Sequence, residues 1–129
     1  MQSSNQDHEY ERDLAAMARV FRALSNVHRL KMYETLFSGG ISTCCDRIEK
    51  CEPAVSQTDV VRMLGLSQST ISHYLRLLEE AGLVTVERRG PWTCYFPDYE
   101  QAARIGAYFG SLAASKALAT VPPNNAERP

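Results

Sequence analysis

The chain has no apolar run near the ~20 residues that a membrane span requires, and its N-terminus lacks the apolar core of a signal peptide. A cytoplasmic protein with no membrane partner is expected. The paired Cys-x-x-Cys spacings that mark a zinc ribbon are missing. No Ser/His/Asp or Cys/His order supports nucleophilic catalysis either, so an enzyme is not expected. An excess of positive charge is also lacking: 14 Lys and Arg stand against 15 Asp and Glu, for a formal net charge of −1. A basic balance is the usual footprint of a nucleic-acid binder, so the distribution of charge matters more than its sum. Residues 12–31 hold Arg12, Arg19, Arg22, Arg29 and Lys31 against Asp13 alone. Such a basic helical shoulder would bind phosphate with a moderate salt slope. A length of 129 residues suits one domain with a real core.

The most informative stretch runs from Ser56 to Leu83. Ser56 followed by Asp59 reads as an N-cap with an acidic first turn. Val60, Val61 and Leu64 give a short helix its apolar stripe, and Gly65 can take the left-handed conformation that ends it. Ser67 caps a second helix, on which Ile71, Leu75 and Leu78 recur at i, i+4 and i+7. Its other face carries Gln68, Ser69, Thr70, Ser72, His73 and Arg76. Gln can bond adenine bidentately, Ser and Thr reach base edges or phosphate, and Arg bonds guanine or phosphate, so this face suits a major groove.

Gly82 ends that helix, and Leu83 to Glu87 alternates as a strand. Arg88-Arg89-Gly90-Pro91 is a basic turn, and Trp92 to Phe96 returns as the second strand. Two strands with a basic tip make a wing that places Arg88 and Arg89 at phosphates or the minor groove. A pure protein-interaction scaffold would need no basic wing beside a polar helix.

Leu24-Ser25-Asn26-Val27-His28-Arg29-Leu30, the run Gly65 to Leu75, Glu80-Ala81-Gly82-Leu83-Val84 and the run Arg89 to Tyr95 together resemble the ArsR-type winged-helix repressors, in one unbroken order over roughly residues 12–118. The resemblance implies a bacterial homodimeric repressor that leaves double-stranded operator DNA on sensing a metal ion, a metalloid or an oxidant. Zinc-sensing relatives carry His and Asp ligands on the last helix, but residues 99–119 contain no His. His8 falls in the expected tail, and His28 at a helix start.

The expected architecture is mainly α with a small β-hairpin wing, in the order α-α-α-α-β-β-α. Residues 1–10 read as a disordered tail, 11–119 as the DNA-binding and dimerisation domain, and 120–129 as a flexible tail. Leu14, Met17, Phe21 and Leu24 mark the first helix; Leu30, Tyr33 and Phe37 mark the second, stopped by Gly39-Gly40. The last helix, near Tyr99 to Ala119, carries Ile105, Tyr108, Phe109 and Leu112 among many small residues. It and the first helix are the expected dimer interface.

A cysteine-bearing insertion at 41–55 sets this chain apart: Cys44, Cys45 and Cys51 stand among charged residues in an expected loop. Three chemistries fit. Three thiolates on one side of a pyramidal centre suit trivalent arsenic or antimony as inducer. The family's common pattern is instead two Cys separated by one residue in the helix before the turn, so the identity of the metal stays open. Alternatively the thiols sense oxidation, Cys51 pairing with Cys44 or Cys45. A Cys44–Cys45 bond would be strained, because adjacent Cα atoms are only about 3.8 Å apart. Third, Cys44, Cys45, Cys51 and Cys94 would hold zinc or another soft metal. Cys94, in the wing strand, reads first as a packing thiol. The leading expectation is a DNA-binding repressor released when arsenic or antimony binds Cys44, Cys45 and Cys51, with thiol oxidation second and zinc third. No cofactor is obligatory in this reading.

Overall fold

Short polar side chains set where the helices begin. Ser56 Oγ accepts from the Asp59 amide at 3.1 Å and Ser67 Oγ from the Thr70 amide at 3.2 Å. Each satisfies one of the amides that a helix start leaves unpaired. Asn26 caps a further helix in the same way, through Arg29 N at 3.1 Å. Glycines terminate: Gly65 closes its helix at φ 67°, and past the next one Gly82 turns at φ 78° while Leu83 N donates to Leu78 O at 3.0 Å.

In a computed structural model that describes residues 2–42, 55–89 and 92–118, these signals give α1 (Gln2–Leu24), α2 (Val27–Leu36), β1 (Ile41–Ser42), β2 (Val55–Ser56), α3 (Gln57–Leu64), α4 (Gln68–Glu80), β3 (Val84–Arg89), β4 (Trp92–Pro97) and α5 (Tyr99–Leu118). The expected winged helix-turn-helix is present, with α3 and α4 as the two helices and β3–β4 as the wing. No helix among the described residues is long and apolar enough to cross a membrane.

The hairpin does not stand alone. Two two-residue strands join it in one sheet of order β2-β1-β4-β3, with β1 parallel to β2 and antiparallel to β4. They flank the cysteine segment, whose residues 43–54 lie outside the described residues. Gly40 leads into β1 at φ +100°. A Cβ there would stand 2.6 Å from the Tyr95 carbonyl and 2.7 Å from the Phe96 ring, so only glycine lets β1 lie this close to β4.

The chain divides after Asp98. In the first unit Val20, Met32, Leu36, Ile41, Val60, Ile71, Leu75, Leu78, Leu83 and Cys94 are fully buried. The three apolar positions expected on α4 are thus the ones it buries. On α2 the inward pair is Met32 and Leu36, while the expected Leu30 and Phe37 stay exposed. Tyr33 is half-buried, and burial, with Asp98 second, raises its hydroxyl pKa. The expected disordered tail is corrected: residues 2–10 are the start of α1, although residues 5–15 bury nothing. The C-terminal tail lies outside the described residues. The second unit is α5, which leaves Phe109 and Leu112 exposed.

Candidate nucleic-acid interface and cysteine site

Helix α4 presents one polar face because its apolar residues return every third or fourth position. Gln68, Ser69, His73 and Arg76 are exposed, and Thr70 and Ser72 are half-buried. The hydroxyls at its start form a local cluster: Ser67 Oγ lies 2.8 Å from Thr70 Oγ1 and 3.2 Å from Ser69 Oγ. Gln68 and Ser72 have internal partners that the sequence did not reveal. Buried Gln57, at the start of α3, donates from Nε2 to Ser72 Oγ at 2.9 Å and to the Gln68 carbonyl at 3.2 Å. Gln68 Nε2 donates back to Gln57 Oε1 at 3.3 Å. The two side chains are therefore oriented before any ligand arrives, and each retains hydrogen-bonding capacity.

Arg88 is exposed near the end of β3, and Arg89 follows it in register with Trp92; Gly90 and Pro91 of the wing tip lie outside the described residues. Tyr95 on β4 joins wing to helix electrostatically. Its hydroxyl pKa is raised, first by burial and then by Glu79, while Arg88 and Arg76 pull it down. Arg76 and Arg88 thus act on one site from two elements. Exposed cations in that position, beside a polar helix face, can neutralise phosphates.

The basic shoulder lies elsewhere. Arg19, Arg22 and Arg29 gather with Leu77, Glu80 and Ala81 around a hollow of about 310 Å³ at the C-terminal end of α4. Over 13 residues, that end is about 18 Å from the reading end. Arg29 is a structural tie: its Nε donates to Ala23 O at 2.7 Å, and its guanidinium lies 5.0 Å from the Tyr74 ring centroid. The fold thus gathers Arg19, Arg22 and Arg29 at the helix junction.

Cys44, Cys45 and Cys51 lie outside the described residues. Among the described residues no group of three or more His, Cys, Asp and Glu side chains is placed to hold a metal ion. Cys94 is fully buried in β4, as a packing thiol would be, but it is also disulfide-bonded. The reading of Cys94 as a packing thiol alone is corrected. The physical reason is β1: Cys94 stands opposite Ser42, two residues before Cys44.

Known proteins match this layout. The profile described as "Bacterial regulatory protein, arsR family" matches residues 55–86, which span the helix-turn-helix and the first wing residues. The HTH-type transcriptional regulator YbzH of Bacillus subtilis is 36% identical over 95 residues, 69% of this chain and 90% of that protein. A Halobacterium salinarum protein named as an arsenical resistance operon repressor, ArsR2, is 34% identical over 66% of this chain and 64% of its own length. A solved structure of Mb0332 from Mycobacterium bovis, described as a homodimeric winged helix-turn-helix DNA-binding domain and a possible ArsR-family regulator, shares 26% identity at a TM-score of 0.54, over 84% of this chain and 87% of that one. With its reading helix, its wing and these relatives in agreement, the chain belongs to the ArsR family of DNA-binding winged helix-turn-helix transcriptional regulators.

Proposed function

We propose that the chain is a homodimeric, cytoplasmic repressor that holds operator DNA while its cysteines are reduced and releases it when they are oxidised. The single observation behind the choice of signal is Cys94, fully buried in the wing strand and disulfide-bonded. The redox step needs a peroxide as oxidant. A segment thiol gives a sulfenic acid and one water; the Cys94 thiol then displaces the hydroxyl as a second water, so two thiols and one peroxide yield one disulfide and two waters.

Operator contacts are assigned to Gln68, Ser69, Thr70, Ser72 and His73 in the major groove, with Arg76, Arg88 and Arg89 on phosphates. The first two turns of a recognition helix read bases, and Arg76 lies beyond them on α4. Arg76→Ala is accordingly expected to weaken binding on all sequences alike and to lower the salt slope by about 1. Kd measured on operator and on unrelated DNA across a salt series checks this; a loss confined to the operator would assign Arg76 to a base instead.

Two copies would bring two reading helices about one DNA turn apart. Exposed Tyr10 and Leu14 on α1, and Phe109 and Leu112 on α5, offer apolar surface for that contact, and homodimeric Mb0332 supports it.

The second reading is release by trivalent arsenic or antimony on Cys44, Cys45 and Cys51, favoured by the name of the Halobacterium salinarum relative. Zinc on the same thiols, with or without Cys94, is the third. Cys44→Ser and Cys51→Ser, each titrated on DNA with peroxide and with arsenite, separate these readings. DNA binding should persist in both variants, and the variant lacking the partner of Cys94 should lose release by peroxide. Release by arsenite alone, abolished in both variants, would replace oxidation by metalloid binding. Loss of DNA binding itself would make the cysteines structural.

A further inference from the structure

Gln57 is the first residue of α3, and only 2% of its surface is exposed. Its side-chain amide is engaged with α4: Nε2 donates to Ser72 Oγ at 2.9 Å and to the Gln68 carbonyl at 3.2 Å, and Oε1 accepts from Gln68 Nε2 at 3.3 Å. These partners permit one orientation of the amide. A main-chain carbonyl only accepts, so the end of Gln57 that faces it must be the nitrogen. The oxygen then faces the Gln68 side chain, where only an N–H can answer it. The polarity of one main-chain group is thereby passed through a buried amide to the first residue of the reading helix.

The consequence for Gln68 is an uneven remainder. A side-chain amide has two N–H donors and an oxygen acceptor; Gln57 takes one donor, and the exposed Gln68 keeps its oxygen and one N–H. In the major groove adenine offers one donor, at N6, and one acceptor, N7, whereas guanine offers two acceptors, O6 and N7. One acceptor with one donor matches adenine. A Gln68 held in this way has no second N–H for guanine, and turning its oxygen toward Gln57 would set two acceptors against each other and leave a buried oxygen unpaired. Cytosine presents a donor alone and thymine an acceptor beside a methyl group, so neither answers both groups.

We propose that Gln57 is a specificity-determining residue: by fixing the orientation of the Gln68 amide, it makes adenine the base that Gln68 accepts and excludes guanine. This rests on the assignment of Gln68 to the major groove and needs no thiol chemistry. Gln57 is too deeply buried to meet DNA itself and acts through Gln68 as a positioning residue.

The test begins with selection of bound sites from a randomised DNA duplex library by the wild type, Gln68→Ala and Gln57→Met, the last of which keeps side-chain length and removes the hydrogen bonds. Kd is then measured on the selected site with adenine or guanine at each position of a half-site. The wild type should require adenine at one position, where guanine weakens binding by about 10-fold or more, the scale of one good bidentate contact. Gln68→Ala should lose that preference; if it changes no position, Gln68 does not read a base, and the assignment beneath the proposal fails. Gln57→Met should reduce the guanine penalty at the same position to about 3-fold or less. Weaker binding to both sites with the penalty unchanged overturns the proposal and leaves Gln57 a packing residue. A position assigned by Gln68→Ala that prefers a base other than adenine overturns it as well. The free wild type supplies a check that needs no variant: by NMR, the side-chain amide protons of Gln57 should exchange with solvent at least about 10-fold more slowly than those of exposed Gln6. Equal rates would mean that the amide is not held, which contradicts the proposal.

Discussion

Gly40→Ala is expected to unfold about 10 °C below the wild type. Two costs add. At φ +100° an L side chain is strained by about 1–3 kcal/mol. The new Cβ would also meet the Tyr95 carbonyl at 2.6 Å and the Phe96 ring at 2.7 Å. A carbonyl held in a sheet cannot rotate away as a side-chain end does, so β1 must separate from β4. Both backbone groups of Gly40 are in use: its amide donates to Leu36 O at 2.7 Å, and its carbonyl accepts from Val55 N at 2.8 Å. Separation would therefore disturb the end of α2 and the start of β2 together. A total near 3 kcal/mol corresponds to a fall of that size in Tm for a chain of this length. Thermal unfolding followed by circular dichroism checks it. A Tm within 2 °C of the wild type would mean that β1 is not seated on β4 as described.

Cys94→Ala is expected to abolish release by peroxide while leaving DNA affinity under reducing conditions within about 2-fold of the wild type. Cys94 lies in β4 and contributes nothing to the polar face of α4, so its removal spares the assigned DNA contacts. Truncation of a fully buried side chain costs stability, here about 1–2 kcal/mol for one sulfur. Without Cys94, oxidation at the segment can only join Cys44, Cys45 and Cys51 to one another. Operator occupancy across a peroxide titration gives the answer. Full release in Cys94→Ala would show that the segment cysteines act alone, and Cys94 would return to the packing role its burial first suggested.

The reading head was legible in the sequence because its determinants are local. Ser56, Gly65, Ser67 and Gly82 mark helix ends by their own hydrogen-bonding or conformational preference, and Ile71, Leu75 and Leu78 keep helical spacing over two turns. What stayed hidden depends on distant partners. β1 and β2 are two residues each, too short for any periodicity, and exist because Gly40 lets one of them approach Tyr95. Without β1 nothing places Cys94 opposite Ser42. On α2, apolar side chains occur on more than one face, so Leu30 and Phe37 competed with Met32 and Leu36, and tertiary packing chose between them. Nothing local marks Gln57 for burial, and only the placement of α4 against α3 buries it. Arg29, counted among the cations of residues 12–31, owes its structural role to Ala23 O and the Tyr74 ring, both supplied by the fold. The start of α1 escaped notice because a helix that buries nothing leaves no apolar stripe.

Fluorescence anisotropy of the protein on a fragment of its own promoter, first in reductant, then after peroxide and after return to dithiothreitol, tests the central claim most directly. The account predicts binding when reduced, at least about a 10-fold loss of affinity on oxidation, and recovery when the disulfide is reduced again. Equal affinity in all three states, with the disulfide shown to have formed, would contradict it.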